Sequence, residues 1–111
     1  MASVLGEKIR RLRKEKGMTL DGLAEASGSS KSYIWELENS NDPLRPSAEK
    51  LQKIADALGQ TVEFLIDDEV NEEASADAAF YRKFRKLEPE TKDRIREIMD
   101  VWSKAGKGTK G

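Results

Sequence analysis

Residues 19–39, TLDGLAEASGSSKSYIWELEN, constrain this chain more than any other stretch, because they hold two short amphipathic helices with one glycine, Gly28, between them. Thr19 is placed to cap the first helix, and Leu20, Leu23 and Ala24 recur at the i, i+3, i+4 spacing of one buried face. Ala26, Ser27 and Gly28 end that helix after little more than two turns, with Gly28 free to take the left-handed conformation that a Cβ resists. Ser29 or Ser30 then caps a second helix, whose Ile34 and Leu37 point inward. Lys31, Ser32, Trp35 and Glu36 are left on the other face, where two opposite charges and an indole cannot all be hidden in a core. Two helices joined so tightly have the layout of a helix-turn-helix that reads DNA.

The flanking residues complete a small helical domain. A first helix over about residues 4–15 carries Leu5, Ile9 and Leu12 as its apolar stripe and stops at Gly17. Residues 39–45, NSNDPLR, form a loop, Pro46 fixes a turn, and Ser47 caps a fourth helix with Leu51, Ile54, Ala55 and Leu58 on one face. Gly59 ends it, and Val62, Phe64, Leu65 and Ile66 make a short fifth helix whose apolar side chains close the core. Five such helices bury enough apolar surface to fold by themselves. The expected fold class is therefore all-α, with a DNA-binding domain over residues 1–67.

Beyond it, residues 67–77, DDEVNEEASAD, carry six acidic residues and no basic one, with almost no large apolar residue. They predict an acidic linker over residues 68–77, with order resuming near Ala78. Phe80, Phe84 and Leu87 then repeat at i, i+4, i+7, and Ile95, Ile98, Met99 and Trp102 at i, i+3, i+4, i+7. Pro89 breaks the two runs, so residues 78–104 read as a helical hairpin and residues 105–111, AGKGTKG, as a disordered tail. Neither helix is stable alone in water. Their stripes are too large to leave exposed, and they point to a face for a second copy of the chain or another protein.

Composition removes several functions. The chain has no cysteine and no histidine, so it offers no thiolate or imidazole metal ligand and lacks the usual general base. Carboxylates are plentiful but fall on solvent faces, and no glycine-rich phosphate loop follows a strand. The expectation is no catalysis, no cofactor and no metal. No apolar run approaches a membrane span or a signal segment, which points to a cytoplasmic protein without a membrane partner. A net charge of −1 argues against coating DNA by electrostatics alone. Charge is uneven, however: Lys8, Arg10, Arg11, Arg13, Lys14 and Lys16 crowd the first helix, either as a solvated face or with a few of them on phosphates.

The run from Leu5 to Ile66 resembles the Cro and phage-repressor type of helix-turn-helix, the XRE family, over a little more than half of the chain. The resemblance lies in the order of its parts: a basic first helix ending in Lys16-Gly17, Thr19-Leu20 opening the second, Leu37-Glu38-Asn39 closing the third, Pro46-Ser47 opening the fourth, and Ala57-Leu58-Gly59 before the fifth. It implies a lambda-repressor-like domain in a sequence-specific transcription regulator, a repressor that binds a palindromic operator in double-stranded DNA as a homodimer. Position by position, it puts Lys31, Ser32 and Glu36 on base edges with Trp35 beside them. Lys31 can donate to guanine, Ser32 can donate or accept, and Glu36 can accept from cytosine N4. Trp35 packs on a thymine methyl or sugars, or else props the helix or meets a dimer partner.

The resemblance also implies a structural ion pair between Arg13 and Glu38. Phosphate contacts are expected at the start of the second helix, at Thr19, and from Asn39, Asn41 and Arg45. The chain departs from the family at Leu20, where a glutamine usually clamps the DNA backbone, and Asp42 places a negative charge in the loop. The alternative is an antitoxin or a peptidase-controlled repressor, in which Phe80, Phe84, Leu87, Ile95, Ile98, Met99 and Trp102 meet a toxin or a peptidase instead of a second copy.

Overall fold

The computed structural model describes residues 3–40 and 45–109, and among these the chain is all-helical: α1 (Val4–Glu15), α2 (Leu20–Ser27), α3 (Lys31–Asn39), α4 (Ala48–Leu58), α5 (Val62–Ile66), α6 (Glu72–Arg85) and α7 (Pro89–Thr109). Each of α1 to α5 begins on a hydroxyl. Ser3, Thr19, Ser30, Ser47 and Thr61 accept from the backbone N–H groups of Gly6, Gly22, Tyr33, Lys50 and Phe64, satisfying one orphan donor apiece. Such a cap is worth about 1 kcal/mol against alanine. The first turns of α1, α2, α4 and α5 hold Glu7, Asp21, Glu49 and Glu63, and that of α3 holds no acid. Gly28 and Gly59 end α2 and α4 with φ of +66° and +67°, a conformation a Cβ would strain.

The chain forms two units, Met1–Phe80 and Tyr81–Gly111. In the first, α2 packs on α3 and α4, and α1 on α3. The helical spacing of the apolar residues brings Ile9, Leu12, Leu23, Ile34, Leu37, Ile54, Ala55, Leu58, Phe64 and Leu65 into one buried cluster. Ile66 does not join it. It is 64% exposed, because a helix of one and a half turns already turns Phe64 and Leu65 inward and leaves Ile66 on the far side.

The acidic stretch differs from the expected linker, since helix begins at Glu72 rather than near Ala78. The scarcity of large apolar residues there is offset by local bonding. Asn71 Oδ1 accepts from the Ala74 N–H at 2.8 Å, alanines favour helix, and Ser75 hooks onto the rest of the unit. The Ser75 hydroxyl is buried, accepts from the Thr61 N–H at 2.9 Å and lies 3.0 Å from the Thr61 hydroxyl. Ala79, one turn further, is buried as well.

The second unit comprises the end of α6 and all of α7, which Pro89 opens. Phe84 and Ile95 are half-buried, whereas Phe80, Leu87, Ile98, Met99 and Trp102 are exposed. α7 continues to Thr109, beyond Ala105 where the sequence predicts fraying, and the last two residues of that tail lie outside the described residues.

Candidate nucleic-acid interface

α3 is held by its buried side. Ile34 and Leu37 are sealed in the core, and Glu38, with a side chain only 1% exposed, receives the guanidinium of Arg13 from α1. Arg13 Nε donates to Glu38 Oε2 at 2.7 Å and Nη2 to Oε1 at 2.9 Å, a bidentate pair, while Nη1 donates to the Met18 carbonyl at 2.9 Å. The hydrogen bonds that Arg13 donates to Glu38 keep its guanidinium even more firmly protonated than usual, outweighing burial, which acts the other way. Gly6 completes the hold. A Cβ there would run into the carbonyl oxygen of Leu37, so α1 crosses α3 at a distance only glycine permits. Apolar periodicity does not mark Gly6, although a glycine inside a helical pattern is a legible sign of close approach.

The opposite side of α3 is open. Lys31, Ser32, Trp35 and Glu36 are all exposed and line one shallow depression, with Trp35 54% accessible. Lys31 Nζ stands 3.6 Å from Asp21 Oδ2 of α2, a contact between two exposed groups that no spacing rule reveals. Asn39 is exposed and donates to the Trp35 carbonyl at 2.9 Å, capping the helix it ends. Thr19, exposed at the start of α2, uses its hydroxyl on the Gly22 N–H. Arg45 is exposed, and Asn41 and Asp42 lie outside the described residues.

The basic helix is less available for phosphate than its sequence predicts. Lys8 is half-buried against the Phe64 ring, donates to the Phe64 carbonyl at 2.6 Å and pairs with Asp68 at 2.8 Å. Arg11 bridges Glu15 at 2.9 Å and Glu72 at 3.1 Å, which raises its pKa. With Arg13 on Glu38, half of the six cations of this segment are turned to the protein's own carboxylates, and Arg10, Lys14 and Lys16 remain exposed. Only the Arg11–Glu15 pair, at i, i+4, is legible from spacing; Asp68, Glu72 and Glu38 are distant in sequence from the cations they take.

Among the described residues, no helix is long and apolar enough to cross a membrane, and no group of three carboxylates is placed to hold a metal ion. Residues 9–65 match the helix-turn-helix family. The HTH-type transcriptional regulator SinR of Bacillus subtilis (strain 168) is 32% identical over 112 residues, covering 94% of this chain and 98% of that protein. A crystal structure of SinR, there called the master regulator for biofilm formation, in complex with DNA matches 57% of this chain and 98% of its own, at 38% identity and a TM-score of 0.53. A complex of SinR with SinI matches 91% of this chain and 98% of its own, at 28% identity and a TM-score of 0.53.

Proposed function

Since the chain belongs to the helix-turn-helix family of DNA-binding transcriptional regulators, we propose that it is a repressor that binds a palindromic operator as a dimer. The observation that carries this reading is the exposed quartet of Lys31, Ser32, Trp35 and Glu36 on a helix whose other side is locked by Arg13 and Gly6. A rigid helix with that face outward enters the major groove, where each base pair presents its own pattern of donors, acceptors and methyls. Lys31 and Glu36 read base edges, Ser32 adapts to either kind, and Trp35 packs beside them. Thr19, Asn39, Asn41 and Arg45 hold the phosphate backbone, and Arg45 contributes most because it alone of the four neutralises a phosphate.

Selection from random DNA is the direct test, and the expected result is two inverted half-sites roughly 34 Å apart, centre to centre. A single half-site bound at full affinity would sink the reading. Lys31→Ala and Glu36→Ala should each relax preference at one base position by about 1–3 kcal/mol. Arg45→Ala should weaken all sequences alike and reduce the salt dependence by about one unit of slope. Should Arg45→Ala change the selected sequence while Lys31→Ala does not, α3 has been put in the groove wrongly.

Dimerisation is assigned to the second unit. Ile98 is 57% and Trp102 74% exposed, on an apolar stripe of α7 that includes Met99, and a second copy supplying the same stripe is the economical cover. In sedimentation, Ile98→Asp/Trp102→Asp should convert the dimer to a monomer and lower operator affinity at least about tenfold, because each half-site then binds alone. A double variant that stays dimeric would move the interface elsewhere. A second reading, that this stripe docks a different protein, is favoured by one observation: the SinR–SinI complex is matched over nearly the whole of this chain. A toxin or a peptidase would use the same face.

A further inference from the structure

The two units carry opposite charge. The first, residues 1–80, has 10 basic and 16 acidic residues, a net charge of −6, and the second, residues 81–111, has 10 basic and 5 acidic residues, a net charge of +5. For a DNA-binding chain this partition is inverted: the unit that holds the reading helix repels a polyanion overall, and among its described residues five cations, Lys8, Arg11, Arg13, Lys31 and Lys53, pair with its own carboxylates. Duplex affinity rests largely on phosphates neutralised by lysine and arginine. That charge is therefore sought outside the reading helix.

It is concentrated at the end of α6. Residues 82–86 read RKFRK, and no acid occurs from residue 78 to residue 87. Arg82, Lys83, Arg85 and Lys86 are all exposed. Within α6, at 100° per residue, Arg82 and Arg85 fall on the arc away from Phe80 and Phe84, Lys83 borders that apolar stripe, and Lys86 follows directly on the last residue of the helix. Arg85 lies over the Tyr81 ring at 5.7 Å, and from α7 Lys92 and Arg96 stand 5.8 and 5.3 Å from the Phe84 ring.

We infer that Arg82, Lys83, Arg85 and Lys86 form a second, sequence-independent contact with the phosphate backbone of the same duplex DNA that α3 reads. This rests on the first unit engaging DNA. It supplies affinity where the acidic first unit is deficient, and it leaves sequence choice to α3, because phosphates carry no base information.

The test compares the full-length chain with Arg82→Gln/Lys83→Gln/Arg85→Gln/Lys86→Gln on two duplexes, the selected operator and a random sequence of equal length, over a series of salt concentrations. Glutamine is a good helix former, so circular dichroism should not change. Both affinities should fall together, by about tenfold or more at low salt, and the salt slope should drop by about two to three units, at about 0.9 per phosphate contact. The selected sequence should stay the same. Arg82→Lys/Arg85→Lys, which keeps the charge, should keep the slope. An unchanged slope in the neutralised variant overturns the proposal, as does a loss of affinity matched by loss of self-association, which would place the cluster against a second copy's acidic segment. A wild-type chain that binds neither duplex overturns DNA binding altogether, an outcome distinct from failure of this surface alone.

Discussion

Arg13→Met should destabilise the first unit by about 3 kcal/mol, a large share of the 5–15 kcal/mol that holds a domain of this size folded. The reason is the partner left behind. Glu38 is 1% exposed, and without Arg13 its carboxylate keeps neither a counter-charge nor access to water. Arg13 is 11% exposed and retains only the Met18 carbonyl when Glu38 is removed, so Glu38→Leu should also be costly. The two losses should not add. Arg13→Met/Glu38→Leu places apolar volume where an ion pair was desolvated, and most of the stability should return. Urea unfolding of the three variants measures this directly. If the single variants cost less than about 1 kcal/mol, the pair behaves like a surface contact and its buried geometry means little.

Gly6→Ala should cost about 1–3 kcal/mol, although alanine is the better helix former by about 1 kcal/mol. The added methyl would collide with the Leu37 carbonyl oxygen and approach its carbon to 3.2 Å, and both atoms belong to backbone that cannot swing aside as a side chain can. α1 and α3 must part. Since Leu37 lies on α3, the proposed reading helix, operator affinity should fall together with the thermal midpoint. A Gly6→Ala chain as stable as the wild type would mean that the two helices have room to slide.

Most of the first unit was legible from sequence because its signals are local. Hydroxyl caps, the i, i+3, i+4 recurrence of Ile34 with Leu37 and of Ile54 with Leu58, and glycine stops at positions 28 and 59 each act within a turn or two of where they are read. The exposed quartet on α3 followed from the same periodicity. What escaped the sequence is long-range. Ser75 reaches Thr61, Lys8 reaches Asp68, Arg11 reaches Glu72, and Asp21 reaches Lys31, and in none of these does spacing along the chain announce the partner. The acidic stretch was misread for a related reason: a polar, alanine-containing segment is a linker or a helix depending on what lies next to it, and that neighbour is set by the fold. Ile66 shows the reverse error, an apolar residue assigned to a core that a five-residue helix was too short to reach twice.

The beginning of α3 has an electrical consequence. Its cap, Ser30, is uncharged, its first turn holds no acid, and its first residue is Lys31, whereas α1, α2, α4 and α5 each have a carboxylate in that turn. A carboxylate near a helix start interacts with the partial positive charge of the aligned peptide dipoles and stabilises the helix by about 0.3–1 kcal/mol. α3 forgoes that gain. In exchange the macrodipole of α3 meets no acid of its own first turn, only Asp21 of α2 at 3.6 Å from Lys31 Nζ, and in the proposed complex that end, with Lys31, would offer positive potential to the phosphate-lined groove. The same reasoning limits redesign: an aspartate at position 31 or 32 would make a better helix and a worse reader.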